Sequence, residues 1–265
     1  MTHKMKKTHI KLLLIIPIII IIFLFSSKVQ KDNWAKEAPE IKHAKERENE
    51  VWGKQLNGHS PELFYGTSFY DLAKEMTRSH LLRSDKKIEE LIAEIPKESI
   101  NFQDSKFQMT IGQFALIVSN LKAVRLLLDK ELNPNLIAEK AHGRALIIDI
   151  NSGYVSRLPE GLLTLKYMIK KGANVNLYSK YAQSKTPLIE AACSGNFENV
   201  KTLIEDGANP HFMDKFSGYG PFRSPLSSSL FFKQINIVNY LIFNLKVDFR
   251  ILKNPEYSKF HPGEY

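Results

Sequence analysis

Residues Lys185–Phe212 read KTPLIEAACSGNFENVKTLIEDGANPHF, a stretch with the marks of two helices and the turns around them. Thr186-Pro187-Leu188 opens the first helix. A threonine hydroxyl there accepts from a first-turn N–H, and proline is tolerated because its missing N–H had no partner. Ala191 and Ala192 are small enough to let neighbouring first helices approach closely. Gly195 marks the turn, and Val200, Leu203 and Ile204 form the inward stripe of the second helix. Gly207-Ala208-Asn209 closes it, with glycine free to take the left-handed conformation that ends many helices. Thr186 and Gly207 stand 21 positions apart.

That spacing recurs. Thr110–Leu136 reads TIGQFALIVSNLKAVRLLLDKELNPNL and keeps 21 positions from Thr110 to Glu131. Ser224–Phe249 keeps them from Ser224 to Leu245, with Val238 and Leu241 at the matching inward positions. A further copy ends in Tyr167–Leu177, YMIKKGANVNL, and its first helix begins near Arg144-Ala145-Leu146. There 28 positions separate Arg144 from Gly172, so seven residues are inserted around Asn151–Glu160. Upstream, Thr67–Asp104 reads as a divergent first unit, with Phe69, Leu72 and Ala73 in one helix and Ile88, Leu91 and Ile92 in the next. Asn101, Asn135, Asn176 and His211 stand 34, 41 and 35 residues apart, as a unit near 33 residues with insertions requires. Glu131 and Leu245 occupy the glycine position, so those helix ends are expected to close differently.

The unit resembles the ankyrin repeat over about Gly66 to Phe249, roughly 70% of the chain. The resemblance implies an all-α fold: an ankyrin-repeat solenoid of about five helix-turn-helix units with β-turn fingers, its first and last units atypical as caps usually are. The repeat domain is placed at 61–253, with a tail at 254–265. Gly112 and Gln113 stand where the family carries leucine and histidine, so the first helix of that unit is expected to be weaker.

An N-terminal hydrophobic signal or anchor helix precedes the repeats in this reading. Residues 1–27 carry Lys4, Lys6, Lys7 and Lys11 and no acid, followed by the uncharged run Leu12–Phe25. Fourteen helical residues span about 21 Å, short of a hydrocarbon core of about 30 Å and closer to a secretory signal. The small-residue cleavage pattern is poor, since Ser26 or Ser27 at −1 puts Leu24 or Phe25 at −3. An uncleaved inner-membrane anchor through residues 12–25 is favoured over a cleaved signal, with the remaining chain outside the cytoplasm. Residues 28–60 read as a charged stalk, in which only Trp34, Val51 and Trp52 can bury much surface.

The 265 residues carry a formal charge of +9, of which residues 28–265 hold +5, too little for a nucleic-acid footprint. The single cysteine, Cys193, excludes a disulfide within the chain and every paired-cysteine metal or redox motif. No phosphate loop, dinucleotide fingerprint, zincin helix or nucleophile elbow occurs, so neither catalysis nor a cofactor or metal is expected. The long finger before Ser224 carries Lys215, Phe216, Tyr219, Phe222 and Arg223 among glycines, the composition of a binding hot spot. The preceding finger adds Tyr178, Lys180 and Tyr181, and the earliest Lys106 and Phe107. A packing role against the next finger is the alternative for any one aromatic among them. In the ankyrin family this concave face binds proteins. Exported members of this style resemble immunity proteins that neutralise phospholipase effectors of type VI secretion, and a periplasmic scaffold or stress-protection partner is the alternative.

Overall fold

A computed structural model describes residues 56–79, 81–179, 185–214 and 224–250. The signal or anchor at 1–27, most of the stalk with Trp34 and Trp52, and the tail lie outside these residues. Among the described residues, no helix is long and apolar enough to cross a membrane. The chain divides between Gln55 and Leu56, and every described residue belongs to the second unit.

Capping side chains decide where several of the helices begin. The Thr110, Thr186 and Ser224 hydroxyls accept from the backbone N–H three residues on, at 3.0–3.2 Å. Asn120 and Asn196 do the same for the helices after them, at 3.0 and 3.1 Å. Ten α-helices result among the described residues, in five consecutive pairs. They are α1 (Tyr70–Thr77) with α2 (Asp85–Glu94), α3 (Ile111–Ile117) with α4 (Leu121–Asp129), and α5 (Leu146–Asp149) with α6 (Gly161–Lys170). After them come α7 (Pro187–Ser194) with α8 (Phe197–Glu205), and α9 (Pro225–Phe231) with α10 (Ile235–Asn239). Helix α5 starts at Ala145, which has no capping side chain, and runs only four residues. The insertion behind it folds as the 3-10 turn Val155–Arg157.

First helices stack on first helices from α1 through α3, α5 and α7 to α9, and second helices on second helices from α2 to α10. Ala191 and Ala192 are fully buried, as the close approach of first helices requires, and Val200 and Leu203 are buried from the second helix. The asparagines that set the sequence period also tie the stack together. The carboxamide oxygens of Asn101, Asn135 and Asn176 accept from the backbone N–H of Asn133, Asn174 and Asn209 one unit on, at 2.7–2.8 Å. Asn135 and Asn176 also donate to the carbonyls of Gly172 and Gly207, at 3.0 and 2.9 Å.

Two sequence expectations are corrected. The helix end at Glu131 does not close differently: Glu131 itself takes the left-handed conformation, φ +69°, as Gly172 and Gly207 do at +88° and +90°. The end at Leu245 does close differently, as expected: the left-handed residue there is Lys246. Helix α10 widens into a π turn over Tyr240–Asn244, which inserts one residue and moves the closure along by one. Nor is α3 a weak helix, because Gln113 supplies support of its own. Its side chain accepts from Thr110 N–H at 2.7 Å, completing a reciprocal cap, and donates to the Arg144 carbonyl of the next unit at 2.8 Å. Gly112 gives Leu132 the space that a β-carbon would take.

These closures define a reciprocal pair of substitutions. Gly207→Val is expected to destabilise the stack by more than about 1 kcal/mol, since a β-branched residue at positive φ is strained even in open space. Glu131→Gly is expected to stabilise it by about 0.5–1 kcal/mol through relief of the same strain. Denaturant midpoints measured on both variants check this, and opposite signs are the expected outcome.

Candidate partner-binding face

The first three connections between pairs each project a finger closed by one antiparallel bridge: Gln103 with Thr110, Ala138 with Arg144, and Ser179 with Lys185. The first finger is built on a buried carboxylate. Asp104 accepts from the N–H groups of Lys106, Phe107 and Met109 at 2.7–2.9 Å, which curls the tip around it. Phe107 is half-buried there, with the Lys106 ammonium 5.4 Å from its ring centre. Lys106 also donates to the Leu56 carbonyl at 3.4 Å, so it secures the start of the unit as well as lining the tip.

Tyr178 takes the packing role. It is half-buried, its ring lies 5.5 Å from that of Phe212, and its hydroxyl donates to Asp214 at 3.1 Å, which fastens one finger to the next. Lys180, Tyr181, Lys215, Phe216, Tyr219, Phe222 and Arg223 lie outside the described residues. Tyr154, in the inserted segment, is 70% exposed.

The base of the fingers holds charge pairs that sequence reading did not assemble. Arg144 meets Asp149 at 3.0 Å, and Lys185 meets Glu190 at 2.5 Å, each pair five residues apart. In both, the cation is the residue just before the N-cap of the first helix, and the acid lies on that helix. The repeat alignment contains the signal, because a basic residue one before the opening and an acid four after it recur in successive units. At the third such position the acid is replaced by Ser228. Burial pushes the Asp149 carboxyl up to about 6 despite the Arg144 guanidinium beside it, and the charge of Glu190 adds to the rise. Burial likewise pushes the Cys193 thiol up to about 12, helped by Glu190, which leaves it a protonated packing residue at neutral pH.

The Asp149 shift has a definite sign. Between its ordinary value of 3.8 and about 6 the folded state holds a proton that the unfolded state has lost, so this group's contribution falls as pH rises through that window. Asp149→Asn is therefore expected to raise the melting temperature at pH 7, with the gain fading towards pH 4. Thermal melts of both proteins across that range check it.

On this geometry the similarities fall into place. Residues 156–252 match the family model for ankyrin repeats, with 3 copies. An ankyrin repeat protein of Acanthamoeba polyphaga mimivirus is 34% identical over 82 residues, covering 31% of this chain and 48% of that protein. The chain thus spans about half the length of the curated relative it matches. Residues 156–252 carry ankyrin repeats, and such repeats imply a protein-binding module of a typically non-enzymatic class.

Proposed function

We propose that the chain is an exported ankyrin module that binds a secreted phospholipase-type effector and neutralises it by covering the effector's active-site cleft. The observation that carries the binding role is the finger face. Its tips are pre-formed on buried Asp104 and on the Tyr178–Phe212 contact, so little conformational entropy is lost when a protein docks. Export rests on the basic start and the apolar run Leu12–Phe25, with residues 12–25 held in the inner membrane and the repeats in the periplasm. The finger residues Phe216, Tyr219, Phe222 and Arg223 are the proposed anchors.

The test is co-expression with a phospholipase effector directed to the periplasm, reading cell growth and phospholipid breakdown. The full chain is expected to protect, and removal of residues 1–27 to abolish protection. Protection that survives the deletion contradicts export through this segment. Failure of the full chain to bind or protect against such effectors contradicts the immunity role and leaves the scaffold reading.

A further inference from the structure

The asparagines of this chain differ in how firmly their carboxamides are held. Asn135 and Asn176 use both side-chain atoms: the oxygen accepts from the next unit, and the nitrogen donates to the carbonyl of Gly172 or Gly207. Asn151 is fully buried, donates to the Ile147 carbonyl at 2.8 Å and accepts from Asn199 at 2.9 Å. Each of the three is followed by a residue with a side chain, Leu136, Leu177 or Ser152.

Asn57 differs on every count. It is exposed, and it is followed by Gly58 in the sole Asn-Gly step of the sequence. The Ser60 N–H donates to the Asn57 carbonyl at 3.0 Å, which closes a turn just before the 3-10 helix Pro61–Phe64. The Asn57 carboxamide oxygen accepts from the His59 N–H at 2.9 Å and from the Ser60 hydroxyl at 3.3 Å. The first of these bonds closes a ring of atoms that contains both Cγ of Asn57 and the Gly58 nitrogen, so the two are held on facing sides of one small turn. Neither the carboxamide nitrogen of Asn57 nor the N–H of Gly58 donates a hydrogen bond among the described residues.

We propose that Asn57-Gly58 is a self-modifying site, at which the folded chain converts Asn57 to an aspartyl or isoaspartyl residue without an enzyme. The Gly58 nitrogen gives its proton to a solvent base and attacks Cγ of Asn57. A C–N bond forms and closes a succinimide ring, the Cγ–Nδ2 bond breaks, and the amide leaves as ammonia with a proton from water. Water then opens the ring. Attack at Cγ restores the original backbone and leaves aspartate, whereas attack at the Asn57 backbone carbonyl leaves isoaspartate; nothing is oxidised or reduced. Glycine suits the step because it has no β-carbon to hinder the approach of its nitrogen. The His59 N–H and the Ser60 hydroxyl stand on the oxygen where negative charge gathers in the tetrahedral intermediate, as donors do in acyl transfer. Either product adds a negative charge next to Leu56, whose carbonyl accepts from the Lys106 ammonium at 3.4 Å, so conversion acts on the base of the first finger.

The test incubates the full chain in mild detergent, folded and separately unfolded in urea, in heavy-oxygen water at mildly alkaline pH. Peptide mass spectrometry reads the label taken up at Asn57, Asn151 and Asn176. In the folded chain Asn57 is expected to convert no more slowly than in urea, at a rate that rises with pH, and at least about tenfold faster than Asn151. Gly58→Ala places a β-carbon at ordinary contact distances of 3.7 and 3.8 Å from Ile117 and Met109, and is expected to slow conversion at least about tenfold. Ser60→Ala removes one donor and is expected to slow the folded chain without slowing the unfolded one. Circular dichroism establishes that the variants fold. A folded chain in which Asn57 stays an amide while the unfolded chain converts overturns the inference. So does conversion in the folded chain that both substitutions leave unchanged.

Discussion

Phe114→Ala is expected to lower stability by about 3–5 kcal/mol, the range for deleting a large buried aromatic. Phe114 is fully buried on α3, and its ring meets that of Phe64 edge to face at 5.4 Å. Phe64 in turn meets Phe69 at 6.1 Å, so the three rings join the 3-10 turn Pro61–Phe64, the first pair and the second. In a stack where each pair touches only its neighbours, a loss at one junction stays local. Hydrogen exchange should therefore rise first in α1 to α4, while α7 and α8 keep their protection. A cost below about 1 kcal/mol, or an even loss of protection along the chain, would show that the aromatic junction does not hold the first pairs together.

The other large effect is expected in binding. Phe216→Ala combined with Tyr219→Ala should cost several kcal/mol of affinity, because buried aromatic anchors dominate protein interfaces. Stability should change little, since the sequence puts both residues in the connection between the last two helix pairs. Arg223→Glu should chiefly slow association with an acidic partner, by an amount that shrinks as salt rises. Tyr154 and Arg157, in the inserted segment, serve as the comparison and should matter less. Wild-type affinity in a correctly folded Phe216/Tyr219 variant would transfer attention to Trp34 and Trp52.

Much of this architecture was legible in the letters, for local reasons. Thr110, Thr186 and Ser224 cap helices through their own side chains, so chemistry within four residues sufficed to place α3, α7 and α9. The asparagine spacing was informative because each asparagine carboxamide reaches the backbone of the next unit, which fixes one such residue per unit. Legibility ended where one feature compensates for another at a distance. The π turn of the last pair shifts the closing residue to Lys246, and no single residue type announces such a turn. Gln113 looked like a loss because its contact with the Arg144 carbonyl spans 31 residues. At the binding face, composition marked Tyr178 as a candidate anchor. Its partners Phe212 and Asp214 come from the following unit, and only their arrangement shows that Tyr178 braces two fingers. The Arg144–Asp149 and Lys185–Glu190 pairs escape a reading that does not set each acid against the cation that the repeat register brings to it.

The most direct measurement of whether the finger face binds a protein is site-specific photocrosslinking in cells that make the full chain. One probe replaces Phe107 at the tip of the first finger and another replaces Lys166 on the second helix α6. A crosslink to one distinct protein from position 107, and none to it from position 166, is the expected result. The same protein captured only from position 166, or equally from both, would contradict recognition by the fingers.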